Sequence, residues 1–124
     1  MSIQAIKYLH FLLQKQDYQY AEEESIKFLV TQKVDQEILN ILGLARLGLK
    51  KNDLAIESFN KAIAIENKFI FQSNLGFAYL AKGLKFSASK IFIRLFRKNF
   101  FNYAIYKRLY LLCKKKKQQT KNIW

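Results

Sequence analysis

The chain has 124 residues, of which 51% are hydrophobic and 15% aromatic, which is enough for one packed domain and excludes a wholly disordered chain. It contains no proline and a single cysteine, Cys113, so an internal disulfide is excluded and a reducing compartment, the cytoplasm, is expected. The formal net charge is +13, and no stretch reaches the roughly 18 uninterrupted apolar residues that a membrane-spanning helix needs.

Charge is distributed unevenly along the chain. All nine acidic residues lie at or before Glu66, where eight basic residues accompany them, whereas residues 67–124 carry 14 basic residues and no acidic one. Such an asymmetry can attract nucleic acid, an anionic membrane surface or an acidic protein. It can equally reflect a composition rich in Lys, Asn, Ile, Phe and Tyr, as an AT-rich genome produces, so a functional basic surface remains one of two interpretations.

Apolar residues recur at helical spacing in seven segments of the chain. The predicted helices cover residues 3–15, about 18–31, 36–49, 54–65, about 68–81, about 85–98 and about 101–117. Ser2 and Asp35 are the expected N-caps of the first and third helices. Glu22, Glu23 and Glu24 fall near the start of the second helix, where we interpret them as favourable to the helix dipole rather than as metal ligands.

Two of these helix pairs carry the same pattern. Leu42-Gly43 is followed by Ala55, Phe59 and Ala62, and Leu75-Gly76 is followed by Ala88, Phe92 and Leu95, with an offset of 33 residues at every position. A fixed period of this size indicates stacked helical hairpins. Small residues let two helices approach closely, and the aromatic ring fills the space between them.

These residues resemble tetratricopeptide repeats, which are helix-turn-helix units of about this length. Tyr79 and Gly83 also match the aromatic and turn positions of that family, while Leu9 stands at the glycine position of a divergent N-terminal unit. The resemblance implies an all-α fold, an α-solenoid of about three hairpins plus a C-terminal capping helix, in one domain over 1–117. Its parts are a divergent hairpin at 1–34, clearer repeats at 35–67 and 68–100, the capping helix at 101–117 and a flexible basic tail at 118–124.

In such stacks the first helix of each hairpin lines a concave groove that binds a partner. Carrying the family's groove positions over, the resemblance gives Ile3, Glu37 and Ile70 as the first position on each of the three helices. The partner-binding groove that it implies is formed by the positions that follow them: Ile6, His10, Leu13, Asn40, Leu44, Leu47, Ser73, Phe77 and Leu80. The groove is largely apolar, which suits an amphipathic helix or a hydrophobic peptide. The alternative is that the chain's own C-terminal helix or a second copy covers these residues; the oligomeric state is not predicted.

Basic residues interleave with aromatic residues near the C-terminus. The predicted basic surface consists of Arg94, Arg97, Lys98, Lys107, Arg108, Lys114, Lys115, Lys116 and Lys117. Cations and rings together can hold phosphates and stack bases, or lie on an anionic bilayer. Equally, the rings can pack the capping helix and the lysines can occupy a solvated helix end.

Residues suited to catalysis are scarce in this sequence. His10 is the only histidine, and the four glycines form no phosphate-binding loop, so we expect no enzyme activity, no metal site and no cofactor. The sequence therefore predicts a protein-interaction scaffold, adaptor or chaperone. The alternative is attachment to nucleic acid or another anionic assembly through the basic C-terminal half.

Overall fold

The computed structural model describes residues 2–98 together with residues 108, 111 and 112. Over these residues the fold is all-α, with no strand. The helices are α1 (Ser2–Gln14), α2 (Tyr18–Thr31), α3 (Gln36–Gly48), α4 (Asn52–Ile65), α5 (Phe69–Lys82) and α6 (Lys85–Lys98). The all-α prediction is confirmed, and each of these six helices begins and ends within two residues of its predicted bounds.

The predicted capping helix falls almost wholly outside the described residues. Arg108, Leu111 and Leu112 are helical and exposed. The rest of 101–117, including Lys107 and Lys114 to Lys117, lies outside the described part, as does the predicted tail at 118–124. The chain divides into two compact units, Met1–Ile93 and Arg94–Trp124, with the boundary inside α6. The prediction of one domain over 1–117 stays a prediction.

The first helices of the three hairpins, α1, α3 and α5, end in the same way. Gln16, Lys50 and Gly83 follow α1, α3 and α5 respectively, and each has a left-handed backbone, with φ of 59°, 62° and 89°. The next amide donates to a carbonyl five residues back in every case: Asp17 to Leu12, Lys51 to Arg46 and Leu84 to Tyr79. These hydrogen bonds form the Schellman motif that commonly terminates helices. The repetition shows that the divergent N-terminal hairpin turns as the other two do.

Aspartate side chains cap the N-termini of α2 and α3. The Asp35 carboxylate accepts hydrogen bonds from the backbone amides of Glu37 and Ile38 at 2.8 and 3.1 Å, which satisfies two otherwise unpaired donors of α3. Asp17 caps α2 more weakly, through a 3.4 Å bond from the Tyr20 amide. The predicted N-cap role of Asp35 is confirmed.

Within the first unit, consecutive helices pack against one another as in a helical solenoid. The helices of a hairpin contact each other, as α1 does α2 and α3 does α4, and neighbouring hairpins contact through α2 with α3 and α4 with α5. First helices also contact first helices, α1 with α3 and α3 with α5. The first helices therefore form one row, and the outward sides of these helices lie next to one another.

Two glycines admit aromatic rings into the hairpins. A Cβ atom on Gly43 of α3 would lie within 2.8 Å of three ring atoms of Phe59 in α4, and one on Gly76 of α5 would lie within 3.1 Å of three ring atoms of Phe92 in α6. Phe59 is fully buried. The glycine is thus required by close approach, as the repeat pattern predicts.

At the corresponding positions the first hairpin has residues of the opposite size. Leu9 and Ser25 lie 34 residues before Gly43 and Phe59, and both are fully buried. A large residue has replaced the glycine, and a small residue has replaced the aromatic ring. Because interiors are close-packed, exchanging bulk across an interface preserves the total volume. Leu9 packs with Leu12, Ala21 and α3 residues in the core of the first unit.

A nearly buried carboxylate joins three helices. Glu22 of α2, only 8% exposed, accepts hydrogen bonds from Arg46 Nε at 3.2 Å and from Lys51 Nζ at 2.8 Å. Arg46 of α3 also donates through Nη1 to Ser58 Oγ of α4 at 2.7 Å. Burial alone would raise the pKa of Glu22, but the bonds from Lys51 and Arg46 hold the pKa below its ordinary value. The helix-dipole interpretation of Glu22 is therefore replaced by an inter-helix ion cluster.

Candidate partner-binding groove

The nine residues of the predicted groove lie on three neighbouring helices. Ile6, His10 and Leu13 are on α1, Asn40, Leu44 and Leu47 on α3, and Ser73, Phe77 and Leu80 on α5. Within each helix the spacing is three or four residues, so each set follows one side of its helix. Since α3 contacts both α1 and α5, the three sets form adjacent stripes. We call this surface the first-helix face.

The α5 stripe is the most exposed part of the first-helix face. Phe77 is 53% exposed and Leu80 is 43% exposed, and Ile70, one turn before Ser73, is 52% exposed. Ser73 between them is half-buried. From Ile70 to Leu80 the stripe extends over about 15 Å of helix, at about 1.5 Å per residue. It presents three large apolar side chains that the described part of the chain leaves accessible to solvent.

Phe77 is also part of the packing between α5 and α6. Its ring meets the ring of Phe92 edge-on, with centroids 5.3 Å apart and planes at 62°. Such an edge-to-face pair stabilises by about 0.5–1.5 kcal/mol beyond its buried area. One edge of the first-helix face is thereby fixed by the same ring that fills the space beside Gly76.

The apolar side chains of the α1 and α3 stripes are less exposed than those of the α5 stripe. Leu44 and Leu47 are half-buried, and so are Ile6 and Leu13, which pack against the core cluster formed by α1, α2 and α3. His10 is exposed. The leucines of α3 therefore form an apolar floor, whereas α1 also exposes His10.

Asn40 does not project from the face as the resemblance implies. It is only 5% exposed, and its Oδ1 accepts a hydrogen bond from Asn74 Nδ2 at 2.9 Å. The physical reason is that a buried amide needs a partner, and α5 supplies one directly across the contact between first helices. Asn40 thus joins α3 to α5 and leaves little of its side chain for a bound partner. The role of Asn74 is not predictable from the sequence, because its partner Asn40 lies 34 residues away and no local spacing relates the two.

An ion pair crosses from α3 to the start of α5. Lys68 Nζ donates to Glu37 Oε1 at 2.5 Å, and that hydrogen bond raises the pKa of Lys68 above its ordinary value. Beside it, Gln36 Nε2 donates to Glu66 Oε2 at 2.8 Å. These contacts place the polar groups at one end of the first-helix face and leave its middle apolar.

The predicted basic surface is described only in part. Arg94, Arg97 and Lys98 of α6 are exposed, as is Arg108. Lys107, Lys114, Lys115, Lys116 and Lys117 lie outside the described residues. For that surface as a whole the prediction remains a prediction.

The part of the chain that the structure describes holds no group of three or more His, Cys, Asp or Glu side chains placed to bind a metal ion. Within that same part, every helix is too short or too polar to cross a membrane.

An apolar cleft of about 390 Å³ lies between the C-terminal ends of α2 and α4, lined by Leu29, Val34, Leu39, Lys61, Ala64 and Ile65.

We compared the chain with protein-family models, with curated proteins and with solved structures, and none of the three comparisons gave a match.

Proposed function

We propose that the chain is a small tetratricopeptide-like adaptor or chaperone whose first-helix face binds an apolar segment of a partner protein. One observation carries the proposal: Ile70, Phe77 and Leu80 stand exposed in a single stripe on α5 beside the half-buried leucines of α3. Large apolar side chains exposed together are typical of interaction surfaces.

The expected partner is an amphipathic helix or an extended hydrophobic peptide. A stripe of about 15 Å matches about ten residues of helix, and apolar side chains of such a helix at positions i, i+3 or i+4, and i+7 would meet the α5 stripe and the α3 floor. Burying one leucine- or phenylalanine-sized side chain stabilises a complex by about 1.5–3 kcal/mol before the loss of motional freedom is counted.

The charge around the stripe supports an apolar rather than an ionic mode of binding. Among the groove positions that the resemblance gives, Glu37 is the only charged residue, and it is already paired with Lys68. Because exposed ionic interactions weaken with salt and apolar burial does not, binding at this face should persist at high ionic strength.

The test uses a displayed library of random peptides, selected on the full chain at high salt. The variant Ile70→Glu/Leu80→Glu places two carboxylates on the stripe, and we prefer it to a change at Phe77 because Phe77 also packs on Phe92. Val30→Glu is the matched control, since Val30 is 79% exposed and lies on α2, which contributes no residue to the first-helix face.

We expect selected peptides to carry apolar residues at helical spacing and to lose affinity by about tenfold or more on Ile70→Glu/Leu80→Glu, but not on Val30→Glu. Peptides that bind both variants as tightly as the wild-type chain would overturn the proposal. So would a selection that enriches only acidic peptides released by salt.

A further inference from the structure

The outward side of α6 combines apolar and basic side chains in an unusual way. Phe86, Lys90 and Ile93 follow at spacings of four and three residues, so they share one side of the helix. Ala88 and Ile91 are buried on the opposite side. We call the surface formed by Phe86, Lys90 and Ile93 the outer face of α6.

Both apolar residues of this face are mostly in water. Phe86 is 73% exposed and Ile93 is 53% exposed, and Leu84, which precedes the helix, is also exposed. Scattered exposed apolar residues are ordinary, but a phenylalanine and an isoleucine on one side of a single helix form a small apolar patch. The outer face of α6 is separate from the first-helix face, which α1, α3 and α5 provide.

Lys90 sits directly over the phenylalanine. Its Nζ lies 4.6 Å from the centroid of the Phe86 ring, a cation–π contact. The ammonium therefore covers one face of the ring while the ring edge stays open. Lysine can keep its methylene stem on apolar surface while its charge reaches a polar layer.

The charged residues of α6 itself all have the same sign. The sequence of α6 contains five basic residues and no acidic one, and residues 67–124 as a whole contain 14 basic residues and no acidic one. The matching surface must therefore be anionic. A positive field of this kind draws the chain towards it before any contact forms.

We propose that the outer face of α6 docks on an anionic lipid bilayer. Phe86 and Ile93 enter the boundary between headgroups and acyl chains, while Lys90 extends along the ring to the lipid phosphates. Interfacial helices bind by this combination of apolar insertion and attraction to anionic lipid. A nucleic acid fits less well, because an isoleucine offers no stacking surface and Lys90 occupies the ring face on which a base would stack.

The experiment is flotation of the full chain with vesicles of two compositions: phosphatidylcholine alone, and equal parts of phosphatidylcholine and phosphatidylglycerol. The test variant is Phe86→Ser/Ile93→Ser, which removes both apolar side chains and keeps every charge. Val30→Ser is the matched control, because it removes an apolar residue that is 79% exposed on another helix. Circular dichroism establishes that both variants keep the helix content of the wild-type chain.

We expect the wild-type chain and Val30→Ser to float with the anionic vesicles only, and Phe86→Ser/Ile93→Ser to bind them more weakly by about tenfold or more. If Phe86→Ser/Ile93→Ser bound the anionic vesicles as tightly as the wild-type chain, the proposal would be overturned, because charge alone would then account for the binding. Failure of the wild-type chain to float, or tighter binding to poly-uridine RNA than to anionic vesicles, would overturn it as well. None of these results depends on whether the first-helix face binds a peptide.

Discussion

Adding a single methyl group at Gly43 tests the packing on which the hairpins depend. In Gly43→Ala the new Cβ would lie within 2.8 Å of three atoms of the Phe59 ring, well inside van der Waals contact. Phe59 is fully buried, so its ring has no solvent side into which it can turn. Either the ring leaves its preferred position or α3 moves away from α4.

Two opposing effects set the size of the change. Overpacking a filled interior costs about 1–3 kcal/mol. Replacing glycine by alanine inside a helix returns up to about 1 kcal/mol through helix propensity. The clash should prevail, so Gly43→Ala should lower the free energy of unfolding by roughly 1 kcal/mol or slightly more, and the melting temperature by about 4 °C.

The assay is urea unfolding followed by circular dichroism, with two comparisons. In a Phe59→Leu background the ring is absent, so the same Gly43→Ala change should become neutral or stabilising. Gly48→Ala is a second test on the same helix. Its Cβ would lie within 2.6 Å of Tyr18 Cγ, Cδ1 and Cδ2, so Gly48→Ala should also lower the free energy of unfolding, and Phe59→Leu should not rescue it. Unchanged stability in Gly43→Ala, or an equal loss with Leu at position 59, would refute this reasoning.

Two further predictions concern charge and backbone conformation. Glu22→Gln should lower the free energy of unfolding by about 1–2 kcal/mol at neutral pH. Because the folded-state pKa of Glu22 is lowered, its contribution is present above the ordinary value of 4.5 and is lost as the pH falls through the folded-state pKa. Stability measured against pH should therefore fall less steeply at acidic pH in the variant than in the wild-type chain, and parallel curves would contradict the ion cluster. Lys50→Gly should raise the melting temperature, because Lys50 has a φ of 62° where Gly83 stands in the third hairpin, and a left-handed backbone disfavours a side chain by about 1 kcal/mol. Gln16→Gly, at the equivalent turn, should behave likewise, and a loss of stability in both would contradict the argument.

Local signals explain why the helices could be predicted from the sequence. Amphipathic spacing located six helices to within two residues, and Asp35 and Gly83 mark ends whose chemistry is readable from the residue type alone. The glycine and phenylalanine positions were also predictable, because the 33-residue offset repeats them.

Contacts between distant residues could not be predicted in this way. The bonds from Asn74 to Asn40 and from Arg46 to Glu22 join residues 34 and 24 positions apart, and their existence depends on which helix sides meet. For the same reason the resemblance placed Asn40 in the groove, whereas its amide lies between two first helices. The exposure of Ile70 and Leu80 likewise depends on how α5 is rotated against α3, which spacing alone does not determine.

The size exchange between Leu9 with Ser25 and Gly43 with Phe59 limits how this chain can be recombined. In every hairpin the matching large and small residues belong to the two helices of that same hairpin. A transplanted hairpin keeps its own pair at these two positions, although its contacts to neighbouring hairpins, such as Glu22 with Arg46 and Asn40 with Asn74, must still be matched. A transplanted single helix would place leucine opposite phenylalanine or glycine opposite serine, so that one pair overfills the interface and the other leaves a void. Duplication or shuffling within this array should therefore disturb these positions least when it cuts between hairpins.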